Sequence, residues 1–95
     1  MEIASIRHKA LRNFAETGVT KGLPGNLVGR LRNMLAYLSV IGSPEELKIP
    51  PNYGAHRLTG GLDGIWSLTV TKNWRMTFWI NDALGIEDLD LKDYH

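Results

Sequence analysis

Residues 66–80 read Trp66-Ser67-Leu68-Thr69-Val70-Thr71-Lys72-Asn73-Trp74-Arg75-Met76-Thr77-Phe78-Trp79-Ile80. Trp66, Leu68 and Val70 alternate with Ser67, Thr69 and Thr71; Trp74, Met76, Phe78 and Ile80 alternate with Arg75, Thr77 and Trp79. Alternation with a period of two, in a stretch rich in β-branched and aromatic residues, marks half-buried strands. The register then constrains the turn. A two-residue loop at Lys72-Asn73 would set Val70 opposite Arg75, apolar against polar. A three-residue loop pairs residues of the same parity and gathers both apolar sets on one face. The spacing therefore predicts a three-residue connection, with Asn73 left-handed in a bulged turn.

Working outward, Asn81-Asp82-Ala83-Leu84-Gly85 reads as the next turn, and Ile86 to Leu91 as a last strand with Leu89 and Leu91 on the core face. Upstream the period changes to that of a helix. Ala10, Leu11, Phe14 and Ala15 form an apolar stripe over 8–17, and Gly18 stands where a left-handed cap is expected. Leu27, Leu31, Met34, Leu35, Leu38 and Ile41 predict a helix over 27–41, with Asn26 at its N-cap. Gly29 costs that helix about 1 kcal/mol relative to alanine, and a close approach to the sheet would account for it. Ser43-Pro44-Glu45-Glu46 fits a capping box with proline at the first helical position. Residues 2–6 alternate weakly and are read as an edge strand. The expected fold is α+β, one domain over 1–95, with two N-terminal helices on one face of an antiparallel-rich sheet. The other face, with Ser67, Thr69, Thr71, Arg75, Thr77 and Trp79, is expected to be polar and open.

Length and composition narrow the function classes. Ninety-five residues with 43% hydrophobic and 22% charged side chains suit one core and argue against disorder. The absence of cysteine excludes disulfides, thiolate metal sites and a cysteine nucleophile. No apolar run reaches the roughly 18–20 residues of a membrane span, and the start lacks a signal-peptide layout, so a cytoplasmic protein with no membrane partner is expected. The net charge of +1 is uneven. Residues 1–80 hold ten of the eleven Lys and Arg against five acids; residues 81–95 hold Lys92 against Asp82, Glu87, Asp88, Asp90 and Asp93. A basic body with an acidic last strand points to a polyanionic partner.

Histidine has an unperturbed pKa near 6.5 and so both takes and gives a proton at neutral pH. His8, His56 and His95 lack the spacing of metal ligands, and neither a metal nor an organic cofactor is expected. Gly60, Gly61 and Gly64 do not match a nucleotide-binding glycine loop and read as turn residues. Trp66 and Trp74 belong to the core face. Trp79 stands on the polar face near Arg75, where it either stacks a base or is covered by a partner protein.

His56-Arg57-Leu58-Thr59-Gly60, Ile65 to Val70, Asn73-Trp74-Arg75-Met76-Thr77-Phe78 and the terminal Asp93-Tyr94-His95 together resemble a HigB-type toxin of the RelE/ParE superfamily. Ile6 to Leu11, Glu16-Thr17-Gly18 and Ser43 to Leu47 extend the resemblance over nearly the whole chain. It implies a RelE-like fold and a ribosome-dependent endoribonuclease that cuts mRNA. It also implies a helix-turn-helix antitoxin, HigA-like, through which alone operator DNA is bound. The implied catalytic residues are His56, Arg75, Asp93, Tyr94 and His95. Cleavage without a metal uses the ribose 2′-hydroxyl as nucleophile and needs a base, an acid and cations on the phosphate. His56 and His95 suit the acid–base pair in either order, Asp93 orients a histidine, Tyr94 stacks or assists proton transfer, and Arg75 holds the phosphate. Arg57, Lys9, Arg12, Lys21, Arg30, Arg32 and Trp79 are the expected RNA contacts. Thr59, Thr69 and Trp79 stand where the family usually has basic residues and Gly61 where it has an acidic one; the loss of local positive charge weakens phosphate stabilisation. Two alternatives remain: a gyrase-poison-like toxin of the ParE branch, which lacks the terminal Asp-Tyr-His, and a homologue that binds RNA or antitoxin without catalysis.

Overall fold

In the computed structural model, which describes residues 1–62 and 64–94, the two apolar sets of the hairpin lie on one face of a four-stranded antiparallel sheet. Its strands are β1 (His56–Arg57), β2 (Trp66–Thr71), β3 (Trp74–Ile80) and β4 (Ile86–Asp93), in the order β1-β2-β3-β4. The helices α1 (Lys9–Thr17) and α2 (Val28–Val40) supply the facing apolar residues of the core. Leu11, Leu31, Met34 and Leu38 are fully enclosed with Leu68, Met76 and Leu89. Each such side chain contributes about 1.5–3 kcal/mol of burial. The order and layering match the α+β expectation. Trp66 and Trp74 pack on the core side, as their parity requires.

The hairpin has the expected parity by a different device. Ser67 pairs with Thr77 and Leu68 with Met76, but Thr71 pairs with Trp74, so the connection is the two residues Lys72-Asn73. Val70 is the extra residue of a bulge between Thr69 and Thr71. One inserted residue restores same-parity pairing without a third loop residue. Asn73 is not left-handed; the described non-glycine residues with positive φ are Leu84 (63°) and Asp88 (53°).

Asp88 belongs to a second bulge. Thr77 pairs with Asp90 and Trp79 with Glu87, leaving two residues of β4 opposite Phe78. Aspartate tolerates the left-handed conformation that this needs. The bulge keeps Ile86, Leu89 and Leu91 all buried, although their spacing is not strictly alternate. β4 also runs to Asp93, two residues beyond the expected end. Residues 2–6 do not form a regular strand. They make two parallel bridges to β4, Ile3 with Ile86 and Ile6 with Leu89. Ser5 spans the bulge there: its Oγ donates to Glu87 Oε1 at 2.8 Å and accepts from Asp88 N–H at 2.8 Å.

Helix ends follow local chemistry with one exception, the start of α2. His8 caps α1, its Nδ1 accepting from Leu11 N–H at 3.2 Å, and Gly18 closes it with φ 80°. Asn26 is not the N-cap of α2. It lies inside a 3₁₀ turn, Gly25–Leu27, begun by Pro24, and the chain enters α2 through that turn with no side-chain cap. Gly29 is exposed and a Cβ there would touch nothing, so no close helix–sheet approach explains it. Ser43 and Glu46 form the expected capping box on the 3₁₀ turn Pro44–Lys48.

Glu46 accepts from Gly42 N–H at 2.7 Å and Ser43 N–H at 2.9 Å. These backbone donors hold its carboxyl below the ordinary value of 4.5. A carboxyl lowered by folding stabilises above its unfolded pKa and ceases to as pH falls through the native one. Glu46→Gln is therefore expected to melt below the parent at neutral pH, with the gap closing on acidification below about pH 4.5. Thermal denaturation followed by circular dichroism from pH 7 to 3 measures it; a gap independent of pH contradicts it.

Candidate active site

Strand alternation decides which side chains meet on the face away from the helices. His56 pairs with Ser67, Ser67 with Thr77, and Thr77 with Asp90, forming one row across all four strands. Thr69, Arg75 and Lys92 form the next row. Paired residues share a face, so His56, Arg75, Asp90 and Lys92 all belong to this surface. It is less open than expected. Ser67 is 2% exposed and Thr77 7%, and Leu58 and Ile65 line the same cavity as Thr77. Leu58 N–H donates to Ile65 C=O at 2.8 Å, closing the 58–65 segment on itself.

His56 is exposed, and its Nδ1 lies 3.0 Å from Gly54 C=O. A carbonyl only accepts, so this bond puts a proton on Nδ1, and Nε2 is the nitrogen that exchanges one. Arg75 is anchored by Nη1, which reaches Thr71 C=O at 2.7 Å, Trp74 C=O at 3.1 Å and Lys72 C=O at 3.2 Å. Its guanidinium carbon stands 5.4 Å from the centre of the Tyr94 ring. No hydrogen bond to the described residues engages Nε or Nη2, which leaves one edge of a pre-positioned fork for an anion. Tyr94 extends the β3–β4 ladder, its N–H donating to Asn73 C=O at 2.6 Å.

Asp93 pairs with Trp74, whose ring packs toward the core, so it lies on the helix side of the sheet. His95 lies outside the described residues. Arg57 pairs with Trp66 and is likewise on the helix side, in a cleft with Lys48, Trp66 and Gly64. Lys48 Nζ is 5.9 Å from the Trp66 ring centre. The structure thus unites Arg75 and Tyr94, sets His56 on the same face, and keeps Arg57 and Asp93 on the other.

The other basic residues divide. Lys9, Arg12 and Lys21 line one cleft between α1 and the loop after it. Arg32 is exposed, its guanidinium 5.7 Å from the Phe14 ring centre. Arg30 is turned inward. Its Nε donates to Val70 C=O at 2.6 Å, and Nη2 reaches Asn52 C=O at 3.1 Å and Thr69 C=O at 3.4 Å. Its guanidinium also lies 5.5 Å from the Tyr53 ring centre. Trp79 is 38% exposed, and its Nε1–H donates to Asp88 Oδ2 at 3.0 Å.

A cavity of about 350 Å³ lies on this face, with Trp79 and Tyr94 both in its wall. Asp88, Asp90, Lys92 and Arg7 also line it, and none was singled out from the sequence as a site residue. The even spacing of Asp88, Asp90 and Lys92 against Leu89 and Leu91 was the available signal for three of them. Among the described residues, no three His, Cys, Asp or Glu side chains are grouped to hold a metal ion. No helix there is long and apolar enough to cross a membrane.

A family model described as a RelE-like toxin of the type II toxin–antitoxin system HigB matches residues 4–95. The endoribonuclease HigB of Proteus vulgaris is 39% identical over 94 residues, covering 98% of this chain and 99% of that protein. A YoeB/ParE toxin from Agrobacterium tumefaciens superposes with a TM-score of 0.51 at 14% identity, over 100% of this chain and 99% of the other, a likeness of fold. Two helices followed by the antiparallel sheet, and a match along nearly every residue, place the chain in the HigB-like family of RelE-like toxins of type II toxin–antitoxin systems.

Proposed function

We propose that the chain is an endoribonuclease that cuts mRNA on the ribosome by acid–base chemistry. The observation that carries this reading is the pre-positioned Arg75 fork above Tyr94, on the same sheet face as a histidine whose Nε2 is the exchanging nitrogen. The 39% identity to an endoribonuclease supports the reaction class.

In this reading a 2′-hydroxyl loses its proton and its oxygen attacks the adjacent phosphorus. The P–O5′ bond breaks and the 5′-oxygen takes a proton. The fragments carry a 2′,3′-cyclic phosphate and a 5′-hydroxyl, and no water is consumed in the step. His56 Nε2 and His95 divide the two proton transfers. Tyr94 stacks on a base or relays a proton. The Arg75 fork takes the non-bridging phosphate oxygens, where charge grows in the transition state. Lys9, Arg12 and Lys21 give a basic patch on the helical layer suited to ribosomal RNA, with Arg32 over Phe14 and Arg57 at the sheet edge as further cations. Arg30 is left out of that surface because its donors are engaged internally. The partner is a cognate antitoxin of the helix-turn-helix, HigA-like kind, which alone brings the complex to operator DNA; the toxin works in the cytoplasm.

Primer extension on a message, translated or not, tests this. Cuts are expected only when ribosomes are present, and Arg75→Ala should reduce them by about 10²-fold or more. Intact message together with retained ribosome association would instead identify a binding protein without catalysis.

A further inference from the structure

We propose that the cavity beside Trp79 is a base subsite that prefers guanine, a specificity element that rests on the RNA-cleaving reading above. Trp79 presents a partly exposed indole held in one orientation, because its Nε1–H is bonded to Asp88. Asp88 is itself paired with Arg7 at 3.6 Å on the same cavity wall and sits at the left-handed bulge of β4. A fixed, half-open aromatic plane is what an unpaired base stacks on.

The polar groups beside that plane give the preference. Asp90 faces the cavity from the row of Thr77, two residues along β3 from Trp79, with only 15% of its side chain exposed. Its Oδ2 lies 3.4 Å from Lys92 Nζ, and its Oδ1 accepts from Leu91 N–H at 2.9 Å. A carboxylate has about four acceptor positions, so capacity remains for two further donors. Guanine has two adjacent donors, N1–H and N2–H, next to the O6 acceptor. Asp90 matches the donors and Lys92 matches O6. Adenine and cytosine each offer a carboxylate one amino donor, and uracil one N3–H between two repelling carbonyls. Leu58 and Ile65 complete the wall with apolar atoms that exclude water from the base edge.

The site also lies where a bound strand would reach it. Arg75 and Trp79 are four residues apart on β3, roughly 13 Å at the usual strand rise. A phosphate on the Arg75 fork therefore leaves a flanking base, not the attacked one, within reach of Trp79.

The test is a titration of ¹⁵N-labelled protein with GMP, AMP, CMP and UMP, following the Trp79 indole N–H, assigned by Trp79→Phe. GMP is expected to shift that signal with an affinity at least about fivefold above the other three. Asp90→Asn should remove the GMP advantage while the protein stays folded. Equal response to all four nucleotides, or none, overturns the proposal. So does a Trp79 signal that moves with the antitoxin alone, which would make this surface a protein interface. The titration needs neither ribosomes nor cleavage, so its failure is separate from failure of the nuclease reading.

Discussion

Replacing His56 by alanine is expected to lower message cleavage by about 10²–10⁴-fold, the usual contribution of one positioned acid or base. The fold should not change. His56 is exposed on the two-residue edge strand β1. The bond lost with it is the one from Nδ1 to Gly54 C=O, which water replaces at an exposed site. Its melting temperature should therefore stay close to the parent's. Ribosome binding should survive as well, because the basic cleft of Lys9, Arg12 and Lys21 is in the other layer. Toxicity on expression, primer extension and ribosome co-sedimentation measure the three effects. His56→Gln keeps a side chain that donates to Gly54 but has no exchanging ring nitrogen, and it should be as inactive as alanine. Activity restored by glutamine would show that His56 holds the loop and moves no proton.

How much of this was readable beforehand depends on whether each feature is set locally. The face of the hairpin was legible because alternation of Trp66, Leu68 and Val70 against Ser67, Thr69 and Thr71 is a local property. The capping box at Ser43 and the left-handed cap at Gly18 were legible for the same reason. The bulges were not. Thr71 opposite Trp74 and two β4 residues opposite Phe78 are settled by pairing between strands and by Ser5 reaching in from the N-terminal segment. The spacing of Ile86, Leu89 and Leu91 did hold a trace of the second bulge, since strict alternation cannot bury all three. The resemblance named His56, Arg75 and Tyr94 together, and they do share a face. The opposite orientations of His56 and Arg57 follow from β1 pairing with β2, a contact between residues about ten apart that no motif displays. The cavity wall of Asp90 and Lys92 follows from the register of β3 with β4.

Arg30 is the case where charge alone misleads, and it yields the second large effect. The sequence presents it as one more cation on a basic helix, suited to RNA. In the fold it reaches 40 residues along the chain to the carbonyl of Val70, the extra residue of the β2 bulge. A bulge carbonyl has no ladder partner, so the guanidinium supplies one, with Asn52 and Thr69 carbonyls on Nη2 and the Tyr53 ring beneath. Arg30→Met keeps most of the aliphatic stem and removes every donor. It is expected to destabilise by about 2–4 kcal/mol, given that bonds to a charged donor contribute about 1.5–3 kcal/mol and unpaired acceptors are costly. For a chain of this size that is a fall of roughly 10–20 °C in melting temperature. Arg30→Lys should recover only part of it, since a compact ammonium lacks the spread of the guanidinium's Nε and Nη2 donors. A second readout is Tyr53. Burial pushes its phenol up, while Arg30 pulls it back down. Removing that charge should move the Tyr53 titration to still higher pH, seen in the ultraviolet absorbance of tyrosinate. Below its melting point the variant should still cut message, because Arg30 touches the sheet and not the substrate. An Arg30→Met protein with the parent's stability and weakened ribosome binding would reverse the assignment and return Arg30 to the RNA surface.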